Sequence, residues 1–402
     1  MSGPRRSSPS QEEIRRQNLG ALLRHVHRHG ATSRAKLTAD LGLNRSTIGA
    51  LTADLAAAGL VSEEVPREAG RSRAGRPSLV VRPEPDRCHT YALSVEVDRI
   101  RAARVGLGGA ILDRREAPRA RDLEAADTAA PLAALVNEMN AVAPTDAVYL
   151  GCGVAVCGMV RCADGVVRLS PHTGWVDEPF AEALKSALDD NRPITVRNVA
   201  DLSALAEHTR GAAAGLSNVL YIYSDVGVRA GIIADGRRLT GHAGYGGEVG
   251  HMVVHPGGRE CGCGSRGCWE TEIGERALLE LAGRSERAGR EAVLEVVDAA
   301  RRGDAAAQRA IRHVGDWLGF GVANLVNIFN PEVVLFGGTL RDVYLAAAAT
   351  VRSRLNSIAL PAHREQLRLR TPALGDDAPL IGAAERAFEE LLSDPLTVVS
   401  HG

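Results

Sequence analysis

The chain lacks net charge: 48 Lys and Arg stand against 49 Asp and Glu, a formal −1 over 402 residues. A uniformly basic or acidic polymer is thereby excluded, and affinity for nucleic acid has to come from uneven charge placement. The sequence also lacks an apolar run of about 18 residues, so no spanning helix is expected, and its polar N-terminus has no apolar stretch of a secretory signal. A cytoplasmic protein without membrane contact is expected. Cysteine is scarce and odd in number, seven in all. Cys88, Cys152, Cys157 and Cys162 have no close partner in spacing and are expected to be buried small side chains. Cys261, Cys263 and Cys268 are grouped, which in a reducing compartment favours metal over disulfides. With 45% hydrophobic residues, the chain is long enough for two or three cores.

Charge is unevenly placed. Residues 1–84 carry fourteen Lys and Arg against eight Asp and Glu, so the rest is acidic. Residues 1–10 read as a disordered tail. From Glu12 to His29, Ile14, Leu19, Leu22, Leu23 and Val26 follow helical spacing, and Gly30 closes the segment. Ser33 caps a short second helix bearing Leu37 and Leu41. Gly42 then permits a sharp turn into a third helix opening at Asn44, with Ile48, Leu51 and Leu55 on one face. This is the pattern of a helix-turn-helix over residues 11–84, its last helix suited to the major groove. A strand begins at Gly59-Leu60-Val61, and "VPREAGRSRAGRPSLVVRPEP" reads as a basic wing whose Arg67, Arg71, Arg73 and Arg76 suit phosphates or a narrow minor groove. The DNA-facing candidates are Ser33, Arg34, Lys36, Asn44, Arg45, Ser46 and Thr47, with Arg71, Arg73 and Arg76 on the wing. Arg45 is the base reader, since a guanidinium is bidentate to guanine.

Beyond "RPEPD" strand-like runs alternate with helices, which argues for an α/β architecture over residues 85–402. "TYALSVEV", "AVYLGCGVAV", "ITVRNV", "NVLYIYSDVGVRAGIIADG" and "PEVVLFGG" read as strands; Pro131 to Ala143, Phe180 to Asp190 and Asp304 to Asn327 read as helices. No internal repeat is evident from composition. "SRAKLTADLGLNRSTIGALTADLAAAGLVSEE", the "GRP" at Gly75, Arg76 and Pro77, "GVAVCGMV", "SPHTGW", "NVADLSALAEHTRGAA", "GGEVGHMVV", "CGCGSRGCWE", "NPEVVLFGG" and "DDAPLIGAAERA" together resemble the ROK family of repressors and sugar kinases. The likeness runs over nearly the whole chain after residue 11, and the resemblance to the regulator branch is close. It implies an N-terminal winged helix-turn-helix domain followed by a two-lobed actin-like (ribonuclease H-like) sugar-kinase fold with a zinc loop.

His251, Cys261, Cys263 and Cys268, spaced by ten, two and five, form a one-histidine, three-cysteine set. Thiolates and imidazole are ligands Zn(II) favours, and four of them close its tetrahedron and leave no position for an activated water, so a structural zinc is expected. His255 is an alternative to His251, although it does not match the family pattern.

The resemblance also places the family's catalytic Asp, in an Asn-Asp-Ala run, at Asn198-Val199-Ala200, where a valine cannot accept a proton. Asp201 lies two residues on and points elsewhere. In "SDVGVRAG", Asp225 and Val226 stand for a glycine and a threonine of the phosphate turn and Arg229 adds bulk; "VEVDRIRAARVGLGG" lacks the Asp-x-Gly-Gly-Thr run and looks shortened. Gly337-Gly338 survives from the adenosine side. The chain is therefore expected not to be an enzyme. Asn198, Glu248, His251 and Glu270 match positions that hydrogen-bond sugar hydroxyls, and Gly174 and Trp175 resemble the loop over the sugar, with His172 where the family often has Asn. The implied function is a repressor of sugar or amino-sugar genes, binding an inverted-repeat double-stranded operator as a homodimer or homotetramer and released by a sugar or sugar-phosphate. The alternatives are an active kinase with a DNA-binding appendage, or a regulator gated by a partner protein.

Overall fold

The computed structural model describes residues 10–65, 78–120, 123–171, 173–225, 227–284 and 290–401. Helix α1 (Gln11–His29) opens with a capping box, Ser10 Oγ accepting from the Glu13 amide while the Glu13 carboxylate accepts from the Ser10 amide. Strand β1 (Thr32–Ser33) leads to α2 (Arg34–Leu41), capped by Ser33, and the turn at Gly42 leads to α3 (Arg45–Ala57), capped by Asn44. Strands β2 (Val61–Glu64) and β3 (Val80–Pro83) complete an antiparallel sheet of order β1-β3-β2. Leu22, Leu23, Val26, Leu37, Ile48, Leu51 and Leu55 bury one shared core, as their spacing requires. Arg67, Arg71, Arg73, Arg76 and Pro77 lie outside the described residues.

The first lobe runs β4 (Cys88–Val95), β5 (Arg99–Gly106), β6 (Ile111–Pro118), α4 (Ala125–Ala141), β7 (Val148–Val156), β8 (Met159–Val160), β9 (Val167–Ser170), β10 (Trp175–Glu178), α5 (Phe180–Leu188), β11 (Ile194–Asn198) and α6 (Val199–Arg210). The second runs β12 (Val219–Ser224), β13 (Val228–Ala234), β14 (Arg237–Arg238), α7 (Glu270–Ile273), α8 (Glu275–Leu281), α9 (Arg290–Arg301), α10 (Ala305–Phe329), β15 (Val333–Gly338), α11 (Leu340–Ile358), α12 (Pro361–Arg364) and β16 (Arg368–Arg370). The chain then returns through α13 (Ala378–Ser393) and α14 (Pro395–His401).

The two five-stranded sheets have orders β11-β7-β4-β5-β6 and β14-β13-β12-β15-β16. In both, the first strand pairs antiparallel with the second and parallel with the fourth, so one topology occurs twice. This duplication is carried by connectivity and leaves no trace in composition. A third, small sheet joins β8, β9 and β10.

One expected element boundary is corrected. Helix α4 begins at Ala125, not at Pro131, which sits inside it. A proline is best placed in a first turn, which is why it marks a start in sequence; here its missing N–H removes one helical bond mid-course. The β5–β6 hairpin escapes the apolar pattern because arginines stud it, yet Arg101 and Arg104 on β5 are buried. Of the four scattered cysteines, Cys88 and Cys152 are buried as expected, whereas Cys157 and Cys162 are half-exposed.

The N-terminal module does not stand apart. Leu380, Phe388 and Leu391 of α13 belong to the same apolar cluster as Leu19, Leu22 and Leu23 of α1. Gly20 lets α1 approach: a Cβ there would lie 2.7 Å from the Leu392 carbonyl oxygen. The head and the last long helix share a core.

Candidate functional site

The stretch after β14 makes a short turn over Val249–His251, and the loop Cys261–Cys268 folds back on it through the bridge Val253–Cys268. Gly267 is required in that loop: its φ is +72°, and a Cβ would meet the His255 carbonyl oxygen at 1.7 Å. Trp269, fully buried, anchors the loop by donating from its indole to the Trp317 carbonyl of α10 at 2.8 Å. The result brings His251, Cys261, Cys263 and Cys268 together, one ligand atom from each lying within 4.8 Å of the others. Cys261 Sγ is 3.6 Å from His251 Nδ1, and Cys263 Sγ is 3.7 Å from Cys268 Sγ.

A tetrahedral zinc with ordinary bond lengths separates two sulfurs by about 3.8 Å and a sulfur and a nitrogen by about 3.5 Å. The donor set and its spacing fit a metal held by protein alone. Burial pushes the Cys261 and Cys268 thiols up, while the Ser265 amide holds Cys263 below its ordinary value. Zn(II), when bound, supplies the positive charge that favours three thiolates in one loop. His255 belongs to a different contact set: its Nδ1 is 3.1 Å from Glu272, whose other oxygen is 3.3 Å from His313.

Around the cluster lie the sugar-side candidates. Glu270 Oε1 accepts from Cys261 Sγ at 3.0 Å and sits 3.6 Å from His251 Nδ1; Glu248 Oε2 is 4.0 Å from His251 Nε2. Glu248 is half-committed: Arg229 donates to its Oε1 at 2.9 Å, while its Oε2 is buried without a hydrogen-bond partner among the described residues. Arg229, which in sequence only adds bulk to the phosphate turn, is the counter-ion of Glu248. Asn198 caps α6, accepting from the Ala200 amide at 2.7 Å and donating to Gly158 O at 2.8 Å. It lines a small slot with Asp201, Thr240 and Gly246, on the stretch leading into Glu248. Gly174 occupies the β9–β10 turn at φ +73° with open space beside it. Trp175 is buried and donates to the Leu123 carbonyl at 2.9 Å. His172 and Val226 lie outside the described residues.

Val199 is buried at the start of α6, and Asp201 is held by Arg238 at 3.0 Å. Burial, reinforced by Glu96, pushes the Asp225 carboxyl up to about 6. The β4–β5 turn is tight, closed by the Glu96 amide donating to Arg99 O at 3.0 Å. Arg101 on β5 bonds the Asp376 carbonyl and Asp377 Oδ1, each at 2.7 Å, while Arg290 of α9 reaches Asp376 at 3.2 Å, tying the two lobes by charge. Gly337 and Gly338 have a local reason to be glycine. A Cβ at Gly337 would strike the Tyr221 hydroxyl at 2.1 Å, and one at Gly338, where φ is +60°, the Ser224 carbonyl at 1.9 Å.

In the head, Arg45 and Ser46 are exposed at the start of α3, Thr47 is half-buried, and Arg45 has no partner among the described residues. Asn44 Oδ1 accepts from the Thr47 amide and the Ser46 hydroxyl, each at 2.8 Å, fixing this turn. Ser33 Oγ accepts from the Lys36 amide, and Lys36 pairs with Asp40 at 3.0 Å. Arg34 is engaged by Glu63 of β2 through two hydrogen bonds, so its guanidinium braces the head instead of projecting from it.

A second polar centre was invisible in the sequence. His27 of α1, Arg210 at the end of α6 and Glu385 of α13 meet in the interior, Arg210 Nε donating to Glu385 at 2.5 Å. No short-range motif joins positions so far apart.

Residues 90–389 match the sequence profile of the ROK family. The chain is 28% identical over 381 residues to a xylose repressor of Bacillus spizizenii, covering 94% of this chain and 97% of that protein. It is 30% identical over 298 residues to a glucokinase of Halalkalibacterium halodurans, covering 70% of this chain and 90% of that one. Among solved structures, a ROK family transcriptional regulator, a homologue of the E. coli MLC protein, superposes with a TM-score of 0.77 at 25% identity, covering 97% of this chain and all of that one.

Proposed function

Since the chain belongs to the ROK family, we propose that it is a sugar-responsive transcriptional repressor and not a sugar kinase. The observation that carries the reading is a single chain holding a capped three-helix head with an exposed Arg45 and a kinase-like body whose base position is the buried Val199. The likeness to a repressor over 94% of the chain, head included, supports it.

In this reading the head is a winged helix-turn-helix, residues 11–84, and the first turn of α3 enters the major groove. Arg45 reads a base, Ser46 and Thr47 contact the adjacent backbone, and Asn44 holds the turn in shape. Ser33 and Lys36 start α2 near phosphate, Arg34 positions the sheet against α2, and the wing residues Arg71, Arg73 and Arg76 supply charge. A homodimer or homotetramer places two heads on an inverted repeat.

A sugar is held by Glu248, His251 and Glu270 from the second lobe and by Asn198 from the first, with Gly174 at the rim. The unpaired Oε2 of Glu248 is an acceptor that a hydroxyl satisfies. His251 turns Nδ1 toward the cysteines and Nε2 toward Glu248, so the metal loop sets the orientation of a sugar ligand. With four protein ligands, the metal has a structural role and no catalytic one. Arg229, clamped on Glu248, and Asp225, facing Glu96, disfavour ATP phosphates where a kinase needs glycine amides.

Helix α6 is capped by Asn198 and ends at Arg210, which grips Glu385, and Glu385 contacts His27 of the head. Closure of the lobes on a sugar displaces α6 and through it α1, changing the spacing of paired heads. The test is fluorescence anisotropy of the full chain on its own upstream DNA. Arg45→Ala is expected to weaken specific binding by about 1–3 kcal/mol and to relax preference at one base pair. Equal affinity of Arg45→Ala and the native chain for that DNA would refute α3 as the reading helix.

A further inference from the structure

Between the β8–β9 turn, α5, β11 and α13 lies a cavity of about 400 Å³. The zinc-loop residues and Glu248 take no part in it. Four cationic side chains line it, Lys185 of α5, Arg192 just before β11, Arg197 on β11 and Arg386 of α13, against two carboxylates, Asp164 and Glu182. Asp164 is already closed by Arg161, at 2.6 and 2.9 Å. Arg192 lies over the Tyr149 ring with Asp190 3.5 Å away.

The other cations are under-compensated. Among the described residues, Arg197 donates only to the neighbouring Val196 carbonyl, at 2.7 Å, and neither it nor Lys185 has an ion pair. Burial, with Arg386 and Arg238 close by, pulls the Arg197 pKa below its ordinary value. Arg386 reaches Glu389 at 2.9 Å through Nη1, but its Nε is buried with no acceptor among the described residues. Leaving guanidinium donors half-buried and unpaired costs stability, and gathering like charges adds repulsion. Forked donors converging on a concave space match the oxygens of a phosphate, which accept such forks in pairs.

We propose that this cavity is a binding site for a phosphate dianion, free or as the head of a small ester, with Arg197 and Arg386 taking its oxygens and Lys185 adding a point charge. Its volume is within the range of small-molecule sites, roughly 300–1,000 Å³. Arg197 and Cys162 also border the slot that holds Asn198 and Asp201, and Arg386 follows Glu385 in the chain. A bound phosphate therefore touches both the strand that ends at Asn198 and the helix whose Glu385 contacts His27; this regulatory consequence rests on the repressor reading, whereas the binding itself does not.

The test is isothermal titration calorimetry of the full chain with inorganic phosphate and with glucose 6-phosphate at low ionic strength, repeated for Lys185→Met/Arg197→Met and for Glu248→Gln. Saturable binding that weakens at least ten-fold in the double variant and persists in Glu248→Gln is expected. Tighter binding of the ester identifies an organic phosphate as the ligand class, and equal binding identifies the free ion. If the double variant does not fold, Lys185→Met alone takes its place, with the phosphate-induced rise in Tm as the readout. Absence of binding by either compound, or binding lost in Glu248→Gln and kept in the cavity variant, overturns the proposal and leaves the repressor reading to be judged on operator DNA.

Discussion

His27 Nε2 lies 3.2 Å from Glu385 Oε2 across a separation of 358 positions, both side chains buried, while the Gly108 amide donates to His27 Nδ1 at 3.0 Å. That amide leaves Nδ1 without a proton, so the ring is neutral and donates from Nε2. Burial pulls the His27 pKa down, in agreement. Glu385 stays ionised: burial raises its pKa, but His27 and Arg210 together outweigh it and hold it below its ordinary value.

The same pair makes Glu385 the joint between head and body. Glu385→Gln removes the charge that Arg210 faces and is expected to cost about 3 kcal/mol of stability, in the range seen when one partner of a buried pair is lost. Urea unfolding measures that cost. Operator release by sugar is expected to suffer more than operator affinity itself; equal loss of both would make the contact structural only.

The cysteine loop gives a second expectation. Purified protein is expected to carry one zinc per chain by elemental analysis, and Cys263→Ser to lose it. Metal binding in such sites is worth on the order of 10 kcal/mol, so the variant should unfold at markedly lower temperature and lose sugar-induced stabilisation. Retained metal in Cys263→Ser would remove Cys263 from the ligand set.

Asp225 predicts a pH dependence. Its folded pKa of about 6 lies above the ordinary carboxylate value of 3.8, so the folded state holds this proton more tightly than the unfolded one. The native chain therefore loses stability from this group as pH rises from about 4 to about 6, by up to about 3 kcal/mol. Asp225→Asn is expected to stabilise the protein by up to that amount at pH 7 and by little at pH 4. Equal effects at both pH values in urea titrations would contradict the assignment.

Much of this was legible in sequence because it is local. Ser33, Gly42 and Asn44 announce helix ends through caps that need only the next three residues, and the His-Cys cluster lies within one short stretch. What was hidden depends on partners far along the chain. His27, Arg210 and Glu385 belong to three separate helices, and Arg197 and Arg386 converge only once α13 returns to β11. The repeated sheet topology is a matter of connectivity, which different side chains satisfy equally well. Arg34 reads as a DNA-facing side chain because nothing in its sequence neighbourhood shows that Glu63 will fold back on it.

The most direct test of a sugar-gated repressor is operator affinity measured with and without a panel of pentoses, hexoses, amino sugars and their phosphates. The account predicts that one of them weakens operator binding by at least about ten-fold, a coupling of about 1.4 kcal/mol or more, and that Glu248→Gln and Glu270→Gln abolish the response while binding DNA normally. Tight operator binding unchanged by every sugar, in the native chain, would contradict it.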